Sequence, residues 1–301
     1  MKVLVTGSNG LLGQKLIKLL CQQDGIEVIA TARNSNRLPE SLGDYTFAPM
    51  DISDNDSVDS TVASFQPDVI INTAAMTHVD QCEQDKEGCW QANVKSTEYI
   101  VAACEKNDIH LVHVSTDFIF DGTEGPLDEE AVPNPVNYYG ESKLEGERII
   151  QNSKISWSIA RTVLVFGIAH DMSRSNIILW VKNSLEQGKD INVVNDQWRT
   201  PTLAEDLAMG CYLLAKTKKQ GVYNISGKDM LTPYDMAIAT ADFFKLDKSF
   251  IHETDGSKFT QPAKRPPKTG FIVDKARRDL GYEPKSFVEG LQILRDQLSS
   301  N

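Results

Sequence analysis

No stretch of this chain approaches the roughly 20 consecutive apolar residues that a membrane-spanning helix needs. Cysteine is sparse and unpatterned: Cys21, Cys82, Cys89, Cys104 and Cys211 are odd in number, and none forms a CxxC pair. That spacing argues against a disulfide framework or a cysteine zinc site. It reads as reduced thiols, packed as small apolar residues, in a cytosolic protein. No His, Cys and carboxylate group stands at ligand spacing, so no metal site is expected. His110 and His113 lie on a strand heading inward and read as packed residues. Basic charge is in deficit: 31 Lys and Arg against 42 Asp and Glu leave a net charge of −11. Such a surface repels phosphate backbones and anionic lipids, which makes nucleic acid and membranes poor partners. An anionic ligand must then find a local basic or backbone-amide site. Repeats and low-complexity tracts are absent too. The first residues read as a strand and a glycine turn, not as a secretory leader.

What is present is ordinary in amount and ordered in pattern. The 301 residues are 41% hydrophobic and 24% charged, enough for one large or two modest domains around a substantial core. Strands are expected at Lys2–Thr6, Glu27–Thr31, Tyr45–Met50, Asp68–Asn72, His110–Ser115 and Ser156–Val165. Between them, helical spacing marks Leu11–Gln22, Asp54–Phe65, Lys86–Asn107 and a segment around Tyr139 and Lys143. This alternation predicts a Rossmann-type α/β fold, a doubly wound parallel sheet with right-handed crossovers. Beyond Gly167 the rhythm changes. Helical segments near Asn176–Glu186, Ala204–Lys216, Tyr234–Phe244 and Val288–Leu298 mix with short strands such as Ile191–Val194 and Val222–Ile225. The expected division is a dinucleotide-binding unit over 1–166, rejoined by a segment near 220–227, and a smaller α+β substrate lobe over 167–301. Asp121–Asn137 and the basic, proline-rich Pro262–Pro267 read as loops.

Two motifs carry most of the chemistry. Thr6-Gly7-Ser8-Asn9-Gly10-Leu11-Leu12-Gly13 follows a strand and opens a helix, the setting in which bare backbone approaches a dinucleotide pyrophosphate. Tyr139 and Lys143, four apart on a helix, share one face about 5–6 Å apart at Cβ. An ammonium beside a phenol stabilises the phenolate, which yields a proton donor usable near neutral pH. The second strand ends in Ala30-Thr-Ala-Arg33-Asn34, without the carboxylate that would bond a ribose 2′-hydroxyl. Arg33 can instead pair with a 2′-phosphate, so NADP is expected over NAD; a solvated surface arginine is the plain alternative. Asp51-Ile52, after the third strand, is placed to flank the adenine. Ala74-Ala75-Met76, after the fourth, offers small residues beside a cofactor. Thr116, ending the fifth, can aim a substrate carbonyl at Tyr139, and a helix or turn cap is the other role, more natural for Ser115 than for Thr116.

These residues together resemble the extended short-chain dehydrogenase/reductase family. Within it, Val114-Ser-Thr-Asp-Phe-Ile-Phe-Asp-Gly122, Ala74-Ala-Met-Thr-His-Val-Asp80 and Arg161-Thr-Val-Leu-Val-Phe-Gly167 are most similar to the dTDP-4-dehydrorhamnose reductases. The resemblance covers nearly the whole chain. It implies Tyr139 as the acid, Lys143 on the nicotinamide ribose and Thr116 as hydroxyl partner. It also implies Asn93 as the helix asparagine that supports the sheet and a water near the lysine. Thr77, Val79, Phe118, Leu164, Trp198, Arg199 and Arg265 fall where the family meets its nucleotide sugar. Leu164 stands where the reductases usually carry Trp, and Trp198-Arg199 replaces a smaller pair; Arg199 and Arg265 are candidates for a sugar-nucleotide diphosphate, Trp198 for stacking on a base.

The activity this resemblance implies is NADPH-dependent reduction of a 4-keto nucleotide sugar, most simply dTDP-4-dehydro-L-rhamnose to dTDP-L-rhamnose, by a cytoplasmic homodimer. Two rivals stand beside it. One is an epimerase or dehydratase that recycles its NAD(P). The other is a non-catalytic regulatory subunit, since the β subunit of methionine adenosyltransferase looks similar too.

Overall fold

The computed structural model describes residues 1–171 and 176–299. The first half runs β1 (Lys2–Thr6), α1 (Leu11–Leu20), β2 (Glu27–Ala32), β3 (Thr46–Pro49), α2 (Asn55–Phe65), β4 (Val69–Asn72), α3 (Val79–Gln84), α4 (Lys86–Trp90), α5 (Ser96–Asn107), β5 (His110–Thr116), α6 (Tyr138–Asn152) and β6 (Trp157–Thr162). The second half runs β7 (Val165–Phe166), α7 (Ile177–Glu186), β8 (Ile191–Val194), β9 (Thr202–Leu203), α8 (Ala204–Thr217), β10 (Gly221–Asn224), α9 (Pro233–Phe244), β11 (Ile251–Thr254), α10 (Asp274–Leu280) and α11 (Phe287–Ser299). Seven strands form one sheet in the order β10-β6-β5-β4-β1-β2-β3, and every pairing is parallel. The sheet is the Rossmann-like architecture expected, with the order reversing beside β1.

A parallel sheet needs both faces covered, and the alternating apolar strands supply two cores. Val3, Val5, Ile71 and Val112 point to one face, against Leu16 and Leu20 of α1 and Leu207, Cys211 and Leu214 of α8. Leu4, Ile70, Leu111 and Ile159 point to the other, against Val58 of α2, Ile100 of α5 and Ile150 of α6. The return of the chain to the sheet is therefore longer than the 220–227 segment: α8 covers one face before β10 adds the edge strand beside β6. Ala276 and Leu280 of α10 join the same core as α8, and the remaining elements build a smaller body. There β8 pairs with β11, β7 with β9, and α7, α9 and α11 pack around Ile178, Met236, Phe287 and Leu291.

Two expected elements are broken. The single helix over Lys86–Asn107 is α4 and α5 joined by a π turn at Gln91–Lys95. The single strand over Ser156–Val165 stops at Thr162 and resumes at Val165, because Leu164 takes φ +35°, a left-handed conformation that interrupts a ladder. Among the described residues no helix is long and apolar enough to cross a membrane.

Candidate active site

The glycine turn sits where β1 meets α1. Gly7 has φ +66°, and a Cβ there would stand 3.0 Å from Ala74 Cα; one on Gly13 would stand 2.4 Å from the Gly7 carbonyl oxygen. Neither position admits a side chain, so the backbone is bare and close-packed. No side chain caps α1 at Gly10, and its first amides are left for a ligand. The Ser8 hydroxyl is buried there with no partner among the described residues. A bare turn, open amides and an orphaned hydroxyl fit a pyrophosphate. Leu11 and Leu12 form the half-buried first turn. Asn9 works sideways: its Nδ2 donates to Ser35 O at 3.1 Å and its Oδ1 accepts from Arg37 N at 3.0 Å. That strap holds the loop after β2 against the turn. Arg33 on this loop is exposed, with no partner among the described residues. Arg37, missed by sequence reasoning, shares the strap and lies 3.6 Å from Asp171.

Farther along the sheet edge, Asp51 Oδ1 accepts from Ser53 N and Oγ, forming a turn that presents Ile52 half-buried. Ala74, Ala75 and Met76 leave β4 beside Gly7. Asn93, inside the π turn, fastens this segment. Its Oδ1 accepts from Met76 N at 2.8 Å, and its Nδ2 donates to Met76 O at 3.1 Å and Ser142 Oγ at 2.9 Å. The side chain is thus spent on Met76 and on Ser142 of α6, the residue before Lys143. π turns recur at functional sites because one extra residue re-aims a side chain.

Tyr139 and Lys143 lie on the buried face of α6, whose first turn is capped by Asn137 accepting from Gly140 N at 2.9 Å. Tyr139 is the second helical residue, at the positive end of the helix dipole. Its ring meets Phe118 edge-on at 5.8 Å and packs with Val79, Cys82 and Cys89. The Thr116 hydroxyl, beside the phenol, donates to Asp117 Oδ1 at 3.1 Å and caps the turn after β5 by accepting from Phe118 N at 3.2 Å. The cap expected of Ser115 therefore belongs to Thr116, while the Ser115 hydroxyl is buried without a partner among the described residues.

The electrostatics differ from expectation. Burial pushes the Tyr139 phenol well above its ordinary range, and the Thr116 hydrogen bond offsets only part of that. Lys143 has other partners: its Nζ sits 3.1 Å from His113 Nε2 and donates to Val114 O at 2.8 Å. Burial brings the amine down to about 8, against opposing pulls from Glu147 and Cys89. Desolvation wins because both groups are nearly sealed, 8% and 3% exposed. His113 was read as a packed residue, and its contact with the lysine was missed. The period-two rule held the signal: His113 shares a strand face with Leu111 and Ser115, the face that α6 covers.

The residues expected at a substrate divide. Val79 and Phe118 border Tyr139, Thr77 is exposed just before α3, and Leu164 is exposed at the break after β6. Trp198 is 40% exposed. Arg199 is not available to a diphosphate. It is 4% exposed, donates to Pro266 O at 2.6 Å and Trp198 O at 2.8 Å, and lies 3.7 Å from the buried Asp117. Its guanidinium welds the 266–267 loop to the end of β5. Arg265 is paired with Asp80 but still lines a cavity of about 470 Å³, together with Gln197 and with Trp180 and Phe259, which sequence reasoning does not pick out. Trp180 is read simply as part of a helix, and Phe259 stands in a polar loop with no periodicity to mark it.

This constellation has close counterparts. Residues 1–300 match the family described as the RmlD substrate binding domain. The chain belongs to that family. As an RmlD-family protein it is 31% identical to the dTDP-4-dehydrorhamnose reductase of Aggregatibacter actinomycetemcomitans over 98% of each protein. It is 32% identical to methionine adenosyltransferase 2 subunit beta of Danio rerio over 83% of this chain and 76% of that protein. A crystal structure of a dTDP-4-dehydrorhamnose reductase from Clostridium acetobutylicum matches it with a TM-score of 0.88 at 28% identity, covering 99% of this chain and 100% of the other. The RmlD-family chain is thus an extended short-chain dehydrogenase/reductase, an oxidoreductase by class.

Proposed function

We propose that this protein reduces a 4-keto nucleotide sugar at the expense of NADPH, with dTDP-4-dehydro-L-rhamnose the simplest substrate and dTDP-L-rhamnose the product. One observation carries the reading. Tyr139 packs with Thr116 at its phenol and Val79 beside it, and Asp80, next to Val79, holds the Arg265 that lines the cavity of about 470 Å³. A reacting carbonyl at Tyr139 and a charged nucleotide at Arg265 are thereby connected along one face. We read the chain as a coenzyme-binding unit over 1–166, rejoined by α8 and β10, and a substrate lobe built from the rest of 167–301.

The coenzyme, when bound, supplies a hydride to the sugar carbonyl. Everything else falls to the chain. Gly7, Gly10 and Gly13 admit the pyrophosphate against bare backbone, Asn9 steadies the flanking loop, and Arg33 meets a 2′-phosphate. Ala74 to Met76, clamped by Asn93, border the nicotinamide side. Thr116 orients the carbonyl oxygen, and Tyr139 gives that oxygen its proton as negative charge develops. Lys143 holds the ribose, and its ammonium offsets the burial that otherwise keeps the phenol from ionising. Arg265, Trp180 and Phe259 offer a cation and two aromatic faces to the nucleotide.

Incubation with NADPH and a panel of 4-keto nucleotide sugars, followed by loss of nicotinamide absorbance, tests the proposal. Tyr139→Phe should lower turnover by about 10²–10⁴-fold with coenzyme binding retained. A near-normal rate in that variant would refute the assignment. The likeness to the adenosyltransferase β subunit keeps a regulatory reading in view. Capture of a synthetase partner together with no net NADPH oxidation on any sugar would favour it.

A further inference from the structure

The polar residues behind Lys143 form an ordered chain whose hydrogen-bond polarity can be read from one end to the other. The Thr6 hydroxyl accepts from Thr73 N at 3.1 Å and Ala74 N at 3.2 Å, so its own hydrogen goes to Asn72 Oδ1 at 2.6 Å. That length suits a hydroxyl donor and is short for an amide one. Asn72 consequently turns Nδ2 towards His113 Nδ1 at 3.1 Å, which must accept. A neutral imidazole that accepts at Nδ1 carries its hydrogen on Nε2. Burial keeps this imidazole neutral. Its Nε2 lies 3.1 Å from Lys143 Nζ, and a donating Nε2–H requires a lone pair opposite. An amine has one; an ammonium has none.

The opposite polarity is poor. If an ammonium donated to Nε2, the imidazole hydrogen would move to Nδ1 and the Asn72 amide would have to reverse. Thr6 would then face three donors, with its own hydrogen unplaced inside a fully buried site. The charges facing Lys143 are few. Glu147, one turn along α6, and Cys89 of α4 both favour the ammonium, and Tyr139 lies on the same face. Glu147 is already engaged by Arg161, at 3.0 and 3.2 Å from Nε and 2.7 Å from Nη2.

We propose that His113 is a positioning residue that stores Lys143 as the free amine, and that the seating of a dinucleotide is coupled to uptake of one proton by Lys143. This rests on the reading that Lys143 meets the coenzyme ribose, whose hydroxyl oxygens are new acceptors for an ammonium. The proton comes from solvent, and the amine becomes the cation that Tyr139 needs. The enzyme would thus acquire its charge only when the coenzyme arrives.

Calorimetry of NADPH binding, in buffers of different ionisation enthalpy, reads the proton directly. The Tyr139→Phe protein removes the neighbouring phenol from the balance, and at about pH 9 the coenzyme phosphate, with its second pKa near 6, has finished titrating. Uptake approaching one proton per site is expected, and it should vanish when Lys143→Met is added. His113→Gln, whose amide accepts as readily as it donates, should lose most of the uptake. In the otherwise native enzyme the same change should move the basic limb of kcat/KM upward, since that profile reports the free enzyme. A purely structural role for His113 would leave that limb in place. Binding without proton uptake, or uptake undiminished in His113→Gln, overturns this inference alone. Failure to bind NADPH at all overturns the functional reading with it. Should His113→Gln not fold, the two Tyr139→Phe measurements decide.

Discussion

Asp80 and Arg265, 185 residues apart, meet through two parallel hydrogen bonds, Nη1 to Oδ1 at 2.5 Å and Nη2 to Oδ2 at 2.7 Å. The pair joins the start of α3, beside Tyr139, to the loop whose Arg265 lines the cavity of about 470 Å³. It also holds the Asp80 carboxyl below its ordinary range. Arg265→Ala should weaken nucleotide-sugar binding by about 10- to 100-fold, the value of a charge-assisted hydrogen bond, and leave coenzyme affinity alone. Titration calorimetry with each ligand separately checks this. Equal losses for both would mean that the loop, and not the cation, matters.

Arg33 is the exposed cation on the loop that Asn9 straps to the glycine turn. Arg33→Ala should raise the Kd for NADPH several-fold and leave that for NADH unchanged, because only the 2′-phosphate is lost as a partner. The effect should shrink as salt is added. Indifference to the substitution at low salt would remove Arg33 from the site.

His110 titrates in the acid range. Its Nδ1 lies 2.7 Å from Ser156 Oγ and its Nε2 2.9 Å from Ser158 Oγ, while Ser158 Oγ donates to Lys219 O at 2.6 Å. Burial lowers its pKa from 6.5 to about 4. Between those values the unfolded chain binds a proton that the folded chain refuses, so stability rises with pH and is lost as pH falls through the same window. His113, also held down by burial, adds in the same direction. Denaturant midpoints measured from about pH 7 to 4 should fall less steeply for His110→Gln than for the parent protein. Parallel curves would show that other groups carry the acid loss.

Glu147 and Arg161 form a bidentate ion pair sealed between α6 and β6, 0% and 4% exposed at the side chain. Arg161→Leu leaves a buried carboxylate alone and should cost about 3–5 kcal/mol, whereas Glu147→Leu with Arg161→Leu should recover much of it. Chemical denaturation of the three proteins gives the comparison. A double variant no more stable than the single one would contradict it.

The fold and the shared helix face of Tyr139 and Lys143 were legible because they follow local rules. Alternating apolar strands such as Asp68–Asn72, helical spacing from Leu12 to Leu20, and a tyrosine and lysine four apart need no knowledge of distant partners. What was hidden depended on them. Arg199 looks like any exposed cation until Asp117 and the 266–267 carbonyls enclose it. The effect of Lys143 on Tyr139 was misjudged because burial, invisible in a string of residues, outweighs proximity on a helix face. His113 was dismissed as packing, since its partners come from β4 and α6. Asn93 was picked from a motif, but its grip on Met76 depends on a π turn that no periodicity announces.

That π turn has a consequence for how this protein can vary. It houses one residue more than an ordinary helical turn. Loss of one residue in 91–95 would restore regular winding, with α4 and α5 continuous, and would remove the widened turn that carries Asn93. Asn93 would swing off Met76, and the alanines beside Gly7 would lose their anchor. Residue swaps in this stretch can be absorbed by small shifts; a change in its length cannot, so its length should be far less free to drift than its composition.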